Sequence, residues 1–130
     1  MELIELSTNP AVHSDEYTVA VAALMATAGR ILNYATGPHV ESGLSEVSTV
    51  YEVLDSLYAT AARMPQLLMQ MTDELKAKLA AGTLDCSNER DLSTEVGHAE
   101  ATCKKAASAA LDLAEALSAA QIAVKDLTGR

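Results

Sequence analysis

Apolar residues return along most of this chain at alternating steps of three and four, the spacing that lines up one face of a helix. Between Asn9-Pro10 and Gly37-Pro38 the rhythm is kept by Tyr17, Val21, Leu24, Ala28, Ile31 and Ala35. Ser14 stands ahead of it as an N-cap, with Asp15 and Glu16 in the first turn where the helix dipole favours anions. A first helix is therefore predicted from Ser14 to about Tyr34. A second segment carries Val47, Val50, Leu54, Leu57, Ala61, Met64, Leu68, Met71 and Leu75, a heptad rhythm that crosses Pro65 in phase. Proline inside a helix removes one backbone hydrogen bond and crowds the preceding turn, so one helix bent near residues 61 to 65 is expected. The third seam, Leu92, Val96, Ala99, Cys103, Ala106, Ala110, Leu113, Leu117, Ala120, Val124 and Leu127, predicts a rod from near Glu89 to Leu127. At 1.5 Å per residue that rod would be roughly 55 to 60 Å long.

Gly82-Thr83 and Asp85-Cys86-Ser87-Asn88 mark the break between the second and third segments. Two helices of roughly 38 residues joined by so short a break form an antiparallel hairpin, and the shorter first helix folds back along the first half of the second. The fold expected is all-α: an elongated antiparallel three-helix bundle with a long helical hairpin, its second helix kinked at Pro65. Residues 14–130 form its single domain, and residues 1–13 form an N-terminal arm. That arm alternates Glu2, Leu3, Ile4, Glu5 and Leu6, and reads either as a loose tail or as a strap across a neighbouring subunit.

Composition sharpens this picture. Of 130 residues 49% are hydrophobic, yet 24 are alanine and the only aromatic rings are four tyrosines, with no Trp and no Phe. Such side chains suit helices packed closely side by side and argue against a sandwich or barrel. Nine basic residues against 18 acidic give a net charge of −9, a sign that disfavours nucleic acid as a partner. Cutting the chain after residues 38 and 82 leaves −3 in each part, so the charge is an even coat with no separate acidic or basic arm. Glu2 and Glu5 precede the first basic residue, Arg30, which is not the pattern of a secretory signal. The longest charge-free run, Tyr17 to Gly29, is short for a bilayer span, so no membrane association is expected. Cys86 in a turn and Cys103 well into the third helix are too far apart to pair, which fits a reducing cytoplasm.

A partner surface follows from unequal helix lengths. The short first helix leaves half of the hairpin uncovered, and that half carries Met64, Leu67, Leu68, Met69, Met71, Leu75 and Leu79, an arc too wide for one facing helix to bury. The stretch opposite, Glu89 to Lys105, is polar. A second copy of the chain, completing a four-helix arrangement about a two-fold axis, is the simplest cover. Two alternatives stand beside it: the bend at Pro65 folds the arc inward within a monomer, or another helical protein occupies a methionine-rich groove.

Chemistry is sparse. Glu95 and His98 have the three-residue spacing of a metal-binding helix pair, but a di-metal bundle needs two such motifs, and neither His13 nor His39 has a glutamate three residues before it. A solvent-facing pair on the helix surface accounts better for Glu95 and His98, since His98 sits beside Ala99 outside the seam. Cys103 lies on the seam, where cysteine acts as a small apolar filler, and no phosphate loop, nucleophile elbow or dinucleotide fingerprint occurs. Asp73-Glu74 and Asp112 with Glu115 read as ordinary helix faces partnered by Lys76, Lys78 or solvent. No metal and no cofactor are expected.

Tyr51-Glu52-Val53-Leu54-Asp55 resembles the tyrosine-to-acid signal of the small helical-hairpin substrates of mycobacterial-type (type VII) secretion systems, the family named after its Trp-X-Gly turn. The resemblance covers five residues, lacks the tryptophan, and falls inside the second helix instead of following the hairpin; it implies export and a heterodimeric partner. Read from its own residues, Tyr51 packs beside Leu54 and Tyr58 at a bundle edge. The function expected is that of a non-enzymatic, cytoplasmic interaction or adaptor protein that forms a homodimer. The rival reading is a small metal- or ligand-binding bundle using Glu95, His98 and Cys103.

Overall fold

The computed structural model describes residues 5–38, 42–87 and 90–129. Among them lie three α-helices and no strand: α1 (Asp15–Ala35), α2 (Val47–Ala81) and α3 (Leu92–Val124). The chain divides into two compact units, Met1–Ser45 and Glu46–Arg130. The first contains α1, the second the hairpin of α2 and α3.

In the first unit the Ser14 hydroxyl accepts the Tyr17 N–H at 3.1 Å, capping α1 as its sequence position demands. Among the described residues before it, Glu5, Ser7 and His13 are tied to this first turn. Tyr17 donates its hydroxyl to the Glu5 carbonyl (2.7 Å) and accepts from the Ser7 N–H (3.0 Å). His13 stacks on the Tyr17 ring at 5.4 Å and bonds the Ser7 carbonyl through Nε2 (2.8 Å). Tyr17 thus anchors the arm with its polar end, where the heptad reading had placed it on an apolar seam. Glu2, Leu3 and Ile4 lie outside the described residues. α1 itself contains no buried residue.

In the second unit α2 runs as unbroken helix through Pro65. It ends at Gly82, whose φ of 71° is the left-handed conformation that glycine adopts without strain, and the Gly82 and Thr83 N–H groups return to the Leu79 and Lys78 carbonyls. α3 starts at Leu92, the first residue of its seam. Asp91 is its N-cap, accepting from the Thr94 N–H (3.2 Å) and hydroxyl (2.7 Å); the expected start near Glu89 lies outside the described residues. Both helices are shorter than expected, 35 and 33 residues.

Two side-chain links fix how α2 and α3 align. Lys76 pairs with Glu100 at 3.2 Å, and Gln121 donates to Asp55 at 3.0 Å. The step from Asp55 to Lys76 and that from Glu100 to Gln121 are both 21 residues, taken in opposite chain directions, so the pair is antiparallel in one constant register. The core between them is made of small side chains: Ala61, Val96, Ala110 and Ala114, with Thr72, are the buried residues among those described. Close approach of alanines is what lets two helices alone exclude water along a line.

That line departs from the heptad seams. On α2 the inward positions run Ala61, Met64, Leu68, Thr72 and Leu79, with Met71 and Leu75 turned out. On α3 they run Val96, Ala99, Cys103, Ala107, Ala110, Ala114 and Leu117, with Ala106 and Leu113 exposed, as is Leu127 beyond the helix end. Each stripe takes two successive steps of four, from Met64 to Thr72 and from Ala99 to Ala107. A helix of 3.6 residues per turn drifts by about 20° per heptad, and over helices of this length the extra step restores the facing side.

Candidate interaction surface

A helix pair hides one stripe per helix and leaves two flanks. Lys76, Glu100, Asp55 and Gln121 all edge the same flank, because each link needs both partners on one side of the contact line. Leu67 is nine residues from Lys76, two and a half turns, and so points to the opposite flank. There it joins Leu57, Met64, Met71 and Leu75 on α2. Leu67 is 46% exposed and Met71 47%. On α3 the same flank presents Ala106, Ala109, Leu113, Ala116 and Ala120, of which Leu113 is 50% exposed. No charged residue stands within the flank between Leu57 and Leu75 on α2 or between Ala106 and Ala120 on α3; the charges lie at its outer edges.

The seven residues singled out from sequence fall into three groups. Leu67, Met71 and Leu75, with half-buried Met64, lie together on this flank. Leu68 and Leu79 are half-buried toward α3. Met69, 59% exposed, sits on the other flank. Leu57 and Leu113 are not among the seven, because both fall in the half of the hairpin that the first helix was expected to cover.

The polar flank holds a shallow notch of about 250 Å³, lined among others by Met69, Thr72, Lys76, Glu100, Cys103 and Lys104. Glu100, Lys76, Lys104 and Thr72 are matched within the protein, while Asp73, also on its lining, is exposed. Glu100 lies between Lys104 (2.9 Å) and Lys76 (3.2 Å), and hydrogen bonds from Lys104 first and Lys76 second hold its carboxyl below the usual glutamate range. The Thr72 hydroxyl donates to the Met69 carbonyl at 2.9 Å, in the manner of a helix-interior threonine. Among the described residues no buried side-chain polar atom lacks a partner.

Glu95, His98 and Cys103 do not converge. Glu95 pairs with Arg90 at 3.4 Å, His98 is exposed on the outer side, and Cys103 faces the notch. Among the described residues no group of three or more His, Cys, Asp or Glu side chains is arranged to hold a metal ion; His39 lies outside them. Cys86 and Cys103 form no disulfide. The Glu74–Lys78 pair at 2.9 Å is an ordinary helix-surface contact.

The chain matches no known protein family, no curated protein and no solved structure.

Tyr51 to Asp55 lie within α2, with both Tyr51 and Tyr58 exposed on the polar flank. α1 and α3 are long and apolar enough to cross a membrane by length and composition alone, a test that core helices of soluble proteins and signal sequences also pass.

Proposed function

We propose that this chain is a non-enzymatic helical interaction protein that assembles as a homodimer through the hairpin and serves as an adaptor or regulatory subunit in the cytoplasm. One observation supports the reading above all others: the half-exposed, charge-free row of Leu57, Met64, Leu67, Met71 and Leu75 along α2. Contiguous apolar surface of this kind is characteristic of protein contacts. The Lys76–Glu100–Lys104 cluster of the opposite flank is spent on itself, and with Glu95, His98 and Cys103 apart from one another catalysis has no comparable starting point.

A copy of the same chain suits the surface because the net charge of −9 makes close approach of two molecules costly wherever acids face one another, and this flank has none. Sedimentation equilibrium of the full chain over a hundredfold concentration range tests the reading. A mass of two chains is expected, falling to one chain when Leu67→Glu and Met71→Glu are combined, with the helical circular-dichroism signal retained at high protein concentration. A wild-type chain that stays monomeric throughout rejects it.

A further inference from the structure

The flank is uneven in a way that bears on orientation. Its α2 half is a ridge of large side chains, Leu57, Met64, Leu67, Met71 and Leu75, and its α3 half is a trough of Ala106, Ala109, Ala116 and Ala120 interrupted by one large side chain, Leu113. The constant register set by Lys76–Glu100 and Asp55–Gln121 places Leu67 level with Ala109 and Met71 level with Lys105. Resting on the homodimer reading, we infer that two copies pack by this flank about a two-fold axis running along the hairpin, so that the turns at residues 82–87 of both copies lie at the same end.

Such an axis carries α2 of one copy over α3 of the other at unchanged height. Leu57, Leu67 and Met71 then come over Ala120, Ala109 and Ala106 of the mate, while Met64 comes level with its Leu113 and Leu75 with its Thr102, so that large side chains meet mostly small ones and the four helices approach to an even spacing. The perpendicular in-plane axis does the reverse: it stacks ridge on ridge and trough on trough, which wedges one side apart.

Charges at the outer edges complement one another in the arrangement inferred. Thr72 faces α3, so Glu74, two residues on, points to the outer edge of α2, as does Arg63. Lys105 and Asp112 occupy the outer edge of α3. Within one chain these two edges are on opposite sides of the hairpin. The lengthwise two-fold brings Arg63 level with Asp112 of the second copy and Glu74 within one helical turn of Lys105 of the second copy, each pair occurring twice. The perpendicular axis also alternates sign along its edges, but by setting Glu74 against Arg63 and Lys105 against Asp112.

The difference is measurable in the full chain. In a background of Cys86→Ser and Cys103→Ala, Ser87→Cys at the turn and, separately, Thr128→Cys at the open end receive nitroxide labels, and the distance between copies is read by pulsed electron resonance. Both pairs are expected within about 30 Å; the perpendicular axis would hold each pair apart by about 50 Å, the length of α3 at 1.5 Å per residue. Long distances at both sites overturn the orientation while leaving the dimer standing, whereas absence of any dimer overturns the underlying reading instead. A second series needs no cysteine change. Lys105→Glu should weaken dimerisation by about 3- to 10-fold, and adding Glu74→Lys should restore most of that loss. Failure of the double variant to recover, with the dimer otherwise intact, also overturns the orientation.

Discussion

Single residues at the helix ends and interiors make the sharpest demands of this chain on its backbone. Gly97 lies inside α3 with open space where a Cβ would stand, so its replacement by alanine removes unfolded-chain freedom and costs no contact. Gly97→Ala should stabilise the hairpin by about 0.5–1 kcal/mol, seen as a higher melting temperature. Gly82 is the opposite case: its neighbourhood is also open, but its φ of 71° strains any other side chain. Gly82→Ala should lower stability by about 1 kcal/mol in a urea titration. Asp91 adds a pH dependence. The hydroxyl of Thr94, and then its backbone N–H, hold the Asp91 carboxyl below its usual value of 3.8. A carboxyl whose folded pKa is depressed contributes stability that is complete above the unfolded value and is lost as pH falls through the folded one. Fraying at the start of α3, followed by amide exchange, should therefore set in below about pH 4 and be absent from Asp91→Asn, which keeps the cap without the charge.

At the level of elements, the small-residue contact between α2 and α3 explains both what the sequence disclosed and what it concealed. Existence, order and punctuation of the helices were legible, since Ser14, Gly37-Pro38 and Gly82 act through local backbone chemistry. Facing sides were legible only in part. Alanine is apolar enough to continue any seam and too small to announce which of two neighbouring positions is enclosed, so Ala106 and Ala107 are indistinguishable by pattern. Thr72 concealed the stripe on α2 for another reason: its hydroxyl is spent on its own helix, which makes a polar residue acceptable inside. The candidate surface was half legible: Leu67, Met71 and Leu75 lie in the half left open by a short first helix, whereas Leu57 and Leu113 lie in the half that helix was expected to cover. Tight contact can be tested by overfilling it. Ala61 is 2% exposed, and Ala61→Leu should separate the helices and cost about 1–3 kcal/mol by chemical denaturation, whereas Ala109→Leu, on the open flank, should leave the monomer fold intact. The Glu100 clamp follows the same sign rule as Asp91: its Lys104 and Lys76 bonds depress the carboxyl, so this tie between α2 and α3 is present at neutral pH and released in acid.

For the molecule as a whole, the consequence of so slight an interior is calorimetric. Unfolding a protein raises its heat capacity mainly in proportion to the apolar surface it uncovers, about 12–15 cal/mol/K per residue in ordinary globules. A hairpin whose enclosed residues are mostly alanine, and where no large side chain among those described is fully enclosed, should fall well short of that increment when very dilute. Its melting temperature should climb with concentration as mass action couples folding to assembly, and the increment should climb with it, so that one set of scanning experiments weighs the surface hidden between copies against the surface hidden within each.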